Sequence, residues 1–404
     1  MPAPIPYGRQ WIDDADVAAV VACLRGDWLT QGPAVERFEQ SLREATGAAH
    51  AVAVGSGTAA LHLAALTAGV SPGDVGLTSS ITFTASANCI AYCGGEPHFV
   101  GVDPDTGLMD VNALDACVRE LAAKGAPPKV IVPVDFAGQP ADLPAVKRIA
   151  DSVGAKVIED AAHSLGATFT HGGQTYKAGS GVFSDFAILS FHPVKHVTTA
   201  EGGAVLTNNA EYAATLRDLR SHGIHKDPQR LTRPDEGPWY YEQASLGYHY
   251  RLSDMQCALG ISQMTRLESF VVRRNEIAAR YDAAFAESPF AGKVAPLGKA
   301  PHTARNAYHL YVIRLVRLTG ESLDDLAARR KAMFLGLRER GVIPQVHYIP
   351  VPMQPFYKDR AGELDDGSRA YYAACLSIPM YPKMTDDDVA RVIDAVRAGV
   401  EGGR

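Results

Sequence analysis

The chain has 404 residues, 47% of them hydrophobic, with a formal net charge of −6; a single core rarely grows beyond about 250 to 300 residues, so two domains are expected. The mild negative charge gives no global electrostatic reason to bind nucleic acid or an anionic membrane, so any anion must be met locally. The opening MPAPIPYGRQ lacks the regions of a signal peptide, no apolar run nears the roughly 20 residues of a bilayer span, and the six cysteines form no CxxC pair, so a cytoplasmic protein without a metal site or disulfide set is expected.

From the N-terminus onward, strand-like apolar runs alternate with helical patterns and short Gly, Pro or Asp turns, which is the α/β signature. HAVAV leads through GSGT into AALHLAALTAGV, whose spacing fits a helix. The backbone N–H groups of such a turn, together with the helix dipole, suit an anion, although the same turn also serves as a plain helix start capped by Ser or Thr. Neither GxGxxG nor the Gly-Lys-Ser/Thr of a Walker loop is present there. Next comes Phe83 in SSITFTASAN, a core residue or a platform for a ring. KVIVPVDF, LPAVKRIADSV and AKVIED form a strand–helix–strand unit, expected to wind right-handed with parallel strands. Asp160 ends the last of these, and His163 follows in EDAAHS. DFAILSFH and GGAVLTN supply two more strands, and Lys195 stands between them in SFHPVKHVTTAEGG. In open sheets ligands sit beyond the carboxyl ends of strands, so residues at those ends are the first candidates for chemistry. From about Asp254 one long helix is expected through DMQCALGISQMTRLESFVVRRNEIAARYDAAF. The domain boundary is placed inside it, giving a large domain over 1–268 and a small C-terminal α/β domain over 269–404 that holds AYHLYVIRLV, IPQVHYIPV and a closing helix.

A phosphate cradle, a carboxylate and an amine, each after a strand, fit pyridoxal 5'-phosphate (PLP). The lysine joins the cofactor aldehyde, and the aspartate pairs with the pyridinium nitrogen and keeps it protonated. Each element alone has an ordinary structural reading; their conjunction points to the cofactor.

The segments WLTQGPAVERFE, AVAVGSGTAALHLA, ITFTASANCI, PVDFAGQPADL, VIEDAAHSLGA, SFHPVKHVTTAEGGAVLTN, LRSHGI, GYHYRLSDMQCALG, HLYVI and VHYIP resemble the DegT/DnrJ/EryC1/StrS sugar aminotransferases over nearly the whole chain. The resemblance implies the aspartate-aminotransferase fold, PLP fold type I, with a mostly parallel sheet. Within the family, LTQG, VDFAGQ, AAHSLGA, TTAEGGAV and RSHGI look most like the branch serving pseudaminic acid biosynthesis. Carried over by position, Lys195 is the catalytic amine and proton-transfer base. Asp160 meets the pyridinium nitrogen, Thr58, Ala59 and Ser190 the phosphate, Phe83 one ring face, and His163 the ring or its phenolic oxygen. Tyr7, Thr30, Gln31, Arg220, His222 and His347 are implied contacts of a nucleotide-linked 4-ketosugar, with L-glutamate as amino donor. The family pattern also implies a homodimer with composite sites, in which the residue at His249 reaches the partner's cofactor phosphate. Three departures stand out: Ser80 where many relatives have proline, His249 where many have asparagine, and Gly76-Leu77 where a Val-Ile pair is common. A dehydratase of the same family carries histidine at the lysine position, so Lys195 favours the aminotransferase. A non-catalytic PLP-binding regulator is the other alternative.

Overall fold

A computed structural model describes residues 3–359 and 363–402. Seven strands form the main sheet in the order His50–Val54, Gly203–Thr207, Phe186–Ser190, Lys156–Asp160, Val130–Val132, Val75–Ser79 and Glu96–Val100. Only Gly203–Thr207 runs against its neighbours; the remaining pairs are parallel. The central strands VIV, FAILS and GAVLT are almost entirely buried, as expected where helices cover both faces of a sheet. The helix after GSGT, Gly57–Thr67, is buried at every position from Ala59 to Ala65. Its run of alanines and leucines has no polar face because the helix has no solvent side. Leu143–Asp151 instead buries one stripe, Leu143, Ala145, Val146, Ile149 and Ala150, and Asp142 caps it by accepting from the Ala145 amide.

The single long helix expected from Asp254 is two, Asp254–Met264 and Leu267–Phe285. The break falls at Arg266, whose guanidinium pairs with Asp13 at 2.7 Å and with buried Asp16 of the first helix, Asp14–Leu24. A long-range ion pair thus redirects a segment whose own residues favour one helix. Beyond the break lies a second, antiparallel sheet, Val294–Pro296, Tyr311–Leu315 and Cys375–Ile378, with Tyr311 central. Its core gathers Tyr281, Phe285, Leu337, Leu376 and Val392, and also Ile5. The N-terminal segment joins this second core because Ile5–Pro6 pairs in parallel with Val342–Ile343. Among the described residues no helix is long and apolar enough to cross a membrane.

Candidate active site

A cavity of about 430 Å³ opens beyond the carboxyl ends of the Lys156–Asp160 and Phe186–Ser190 strands. Lys195 enters it from the loop joining Phe186–Ser190 to the antiparallel Gly203–Thr207. That loop is closed on itself by Phe191 N–H to Gly202 O (2.9 Å), Thr199 N–H to Phe191 O (3.0 Å) and Lys195 N–H to His192 O (2.9 Å). Burial lowers the Lys195 amine to about 8, against the opposing pull of the Asp160 charge. Asp160, buried, accepts from Ser86 Oγ at 2.7 Å and from the Ala162 amide at 3.3 Å. Burial raises its carboxyl above the ordinary range, while Ser86, then Lys195 and then the Ala162 amide oppose that shift.

On the far wall is the N-terminus of Gly57–Thr67. Ser56 caps it by accepting the Ala59 amide at 3.0 Å, so helix geometry leaves the Gly57 and Thr58 amides directed outward. Ser190 stands against this turn: a Cβ on Gly57 would lie 3.0 Å from Ser190 Cβ and 3.2 Å from its Oγ, so the position admits only glycine without displacement. Phe83, 57% exposed, lines the mouth with its ring 6.2 Å from that of Tyr348. His163 is buried, with Nε2 3.2 Å from the Tyr348 hydroxyl and Nδ1 without a partner. Burial, then the Lys195 charge, holds its imidazole neutral. His347 also lines the cavity, its Nδ1 2.8 Å from Ser377 Oγ. Tyr7 does so too, its ring 5.1 Å from that of His347.

The structure therefore brings together Lys195, Asp160, Thr58, Ser190, Phe83, His163, Tyr7 and His347. Ala59 is buried and its amide belongs to Ser56. Gln31 and Arg220 line a separate cavity of about 440 Å³ with Arg43, Arg217 and Arg251. The Arg220 guanidinium donates to Glu39 at 2.7 Å and to the Ala53 carbonyl at 2.8 Å, and so is held in this chain's own framework. Thr30 bridges to Ser253. His222 and His249 are exposed on neighbouring segments, their rings 5.4 Å apart, away from the Lys195 cavity. Sequence reading missed Ser86, His309 and Tyr348. Ser86 sits three residues after Phe83 and Tyr348 next to His347, but their contacts with Asp160 and His163 join residues far apart in sequence.

These residues suit PLP. Asp160 is a buried carboxylate with no ion pair among the described residues, so a heteroaromatic N–H⁺ is the partner it lacks. The helix amides and the Ser190 hydroxyl offer donors to a phosphate. The fold and this donor set define a PLP-dependent enzyme of fold type I. The chain belongs to the DegT/DnrJ/EryC1/StrS aminotransferase family, which matches residues 10–397, and is a PLP-dependent sugar aminotransferase. It is 38% identical over 405 residues to the spore coat polysaccharide biosynthesis protein SpsC of Bacillus subtilis, covering 98% of this chain and 97% of that one. Among solved structures it is similar to Helicobacter pylori PseC, an aminotransferase involved in the biosynthesis of pseudoaminic acid, with 28% identity and a TM-score of 0.86 over 99% and 100% of the two chains. It is also similar to Spr1654 of Streptococcus pneumoniae in its PLP form, with 28% identity and a TM-score of 0.85 over 99% of each chain.

Proposed function

We propose that this enzyme moves an amino group from L-glutamate to the 4-keto group of a nucleotide-linked 6-deoxysugar, specifically UDP-2-acetamido-2,6-dideoxy-β-L-arabino-hexos-4-ulose in pseudaminic acid biosynthesis. The observation that carries the chemistry is Lys195, lowered to about 8 in a cavity that also holds a buried, unpaired carboxylate. Likeness to PseC supports the sugar, and the motifs shared with that branch support it further.

The Gly57 and Thr58 amides, with the Thr58 and Ser190 hydroxyls, hold the cofactor phosphate. Asp160 would receive the ring N–H, and Phe83 and His163, which line the same cavity, would lie against the ring. When bound, PLP supplies an electron sink for the carbon that loses its proton. Lys195 would be the amine that holds the cofactor aldehyde, with loss of water, and, once displaced by the donor amine, the base that takes the proton from the donor carbon. It later returns a proton to the sugar carbon. Tyr7 and His347 border the space where donor and sugar alternate.

Thr30, Gln31, His222 and His249 lie outside this chain's own cavity and would serve the composite sites of a two-fold homodimer, whereas Arg220 is engaged by Glu39 and Ala53 of its own chain. Exposed apolar side chains in the same regions, Trp28, Leu29, Trp239 and Leu246, suit a covered face better than an open one.

The test is a panel of UDP-, GDP- and dTDP-linked 4-ketosugars incubated with glutamate and read by mass spectrometry. The UDP-2-acetamido sugar should give the amine, and Lys195→Ala should give none over many turnovers. Amination of only a different ketosugar would replace the substrate. Multiple turnovers by Lys195→Ala would remove that residue from the chemistry.

A further inference from the structure

Lys195 and His309 come from different sheets, one after the Phe186–Ser190 strand and the other just before Tyr311–Leu315. Their side chains meet in a long hydrogen bond, Nζ 3.4 Å from Nε2, and Lys195 has no ion pair among the described residues. His309 is only 4% exposed. The Arg274 guanidinium clamps its segment by donating to the carbonyls of Tyr308 at 2.9 Å and His309 at 3.3 Å. Its ring is flanked by His163 at 4.2 Å and His196 at 5.8 Å between centroids. Nδ1 is buried without a partner.

Burial pushes this imidazole well below its ordinary range. A neutral ring carries one proton, on one nitrogen or the other. On Nδ1 that proton is a buried N–H with no acceptor. On Nε2, Nδ1 is left with only an unused lone pair. Orphaned buried N–H groups are the rarer and costlier case. Once Lys195 is an amine, the proton therefore belongs on Nε2, and the hydrogen bond runs from His309 to the lysine.

We infer that His309 is a positioning residue that docks the Lys195 amine on its Nε2–H when the lysine is neither protonated nor joined to the cofactor. The inference rests on the assignment of Lys195 as the attachment lysine. Around Nζ, Asp160 favours the ammonium and opposes the dock. His163, His196 and His347 are held neutral by burial first, and Tyr7, Tyr348, His192 and Glu201 complete the cavity wall. His309 thus offsets part of the Asp160 attraction and steadies the lone pair that Lys195 gains as pH rises through about 8.

Borohydride reduction of the PLP-loaded enzyme, followed by peptide mass spectrometry, separates the two levels. A label away from Lys195 overturns the attachment assignment and this inference together. With the label on Lys195, the glutamate-treated enzyme, in which the lysine is free, is labelled with acetic anhydride across pH. The acylation midpoint of Lys195 is expected near 8 in the parent enzyme. In His309→Phe, which fills the ring space without an N–H, it should rise by about one unit, a roughly tenfold loss of reactivity near pH 7. His309→Gln, which keeps a donor, should stay close to the parent. An unchanged or lower midpoint in His309→Phe overturns the inference and leaves Lys195 as assigned. If that variant fails to fold, ring-¹⁵N histidine spectra of the parent, with His309 identified by its loss in His309→Gln, decide the same question. Above about pH 8, where Lys195 is an amine, the Nε2–H tautomer is expected, and Nδ1–H there overturns the dock.

Discussion

At the scale of single residues, Asp160 has two donors, Ser86 Oγ and the Ala162 amide, and no ion-paired cation. Its carboxylate needs the ring nitrogen of PLP to balance the cost of burial. Asp160→Asn keeps the shape and removes the charge. Transfer from glutamate should then fall roughly 10²–10³-fold, the scale of losing one pre-organised electrostatic partner, while cofactor affinity falls far less. Single-turnover visible absorbance measures this, and a near-parental rate would make Asp160 a structural residue. Lys195, Asp160 and the GSGT turn that holds Thr58 were legible in the sequence because each stands at or just past the end of a strand, where an open sheet exposes side chains to ligand; Ser190 came only from the family resemblance. Ser86 and His309 were not legible, because each acquires its role from a contact 74 and 114 residues away. The departure at Gly76 also has a local reason. A Cβ there would lie 2.6 Å from Ile90 Cδ1 and 2.9 Å from Val130 Cγ2, so Ile90 and Val130 already fill the space that a larger residue would need.

Between elements, the Val130–Val132 and Lys156–Asp160 strands run on in register past their ends, Asp160 N–H to Pro133 O and Asp135 N–H to Asp160 O. Strand alternation sends Asp160 to the cavity and Glu159 to the opposite face, where Glu159 meets Asp135. Both are almost wholly buried. Asp135 accepts from Ser164 Oγ and the Ala141 amide, and Glu159 from the Gly179 amide and Ser184 Oγ. Burial, and for Asp135 next the charge of Glu159, raises both carboxyls. The folded pair holds a proton that the unfolded chain releases, so its contribution to stability falls as pH rises from the ordinary carboxyl range through the folded values. The full cost is present at alkaline pH. Asp135→Asn removes one charge and gives Glu159 an N–H donor. Its melting temperature relative to the parent should rise with pH, least near about pH 5 and by about 2 °C or more near about pH 9. A difference independent of pH would show that the two carboxyls do not share a proton. Nothing in the sequence hints at this pair, since an acid beside a strand end reads equally as cavity or core. The break at Arg266 was hidden for a similar reason, because its cause, Asp13 and Asp16, lies about 250 residues earlier.

At the scale of the whole molecule, His249 is exposed and away from the cavity of its own chain, although the resemblance of GYHYR to the family pattern implies a contact with cofactor phosphate across a dimer. The two facts agree if His249 serves the partner's site. An imidazole there offers one N–H when neutral and two with a charge when protonated, which strengthens a bond to phosphate. His249→Ala should weaken PLP affinity about tenfold, the scale of one charge-assisted hydrogen bond; His249→Asn should restore most of it, and neither should change the oligomeric state. Mixed dimers settle the geometry. A heterodimer of Lys195→Ala and His249→Ala subunits has one site with both residues intact if His249 acts across the interface, and none if it acts within its own chain. Titrated with limiting PLP, that heterodimer should therefore bind and turn over one cofactor with parental affinity, while each homodimer lacks such a site. Equal, weakened affinity at every Lys195-bearing site of the heterodimer would place His249 on its own subunit's cofactor, and affinity unchanged in His249→Ala would remove it from the cofactor altogether.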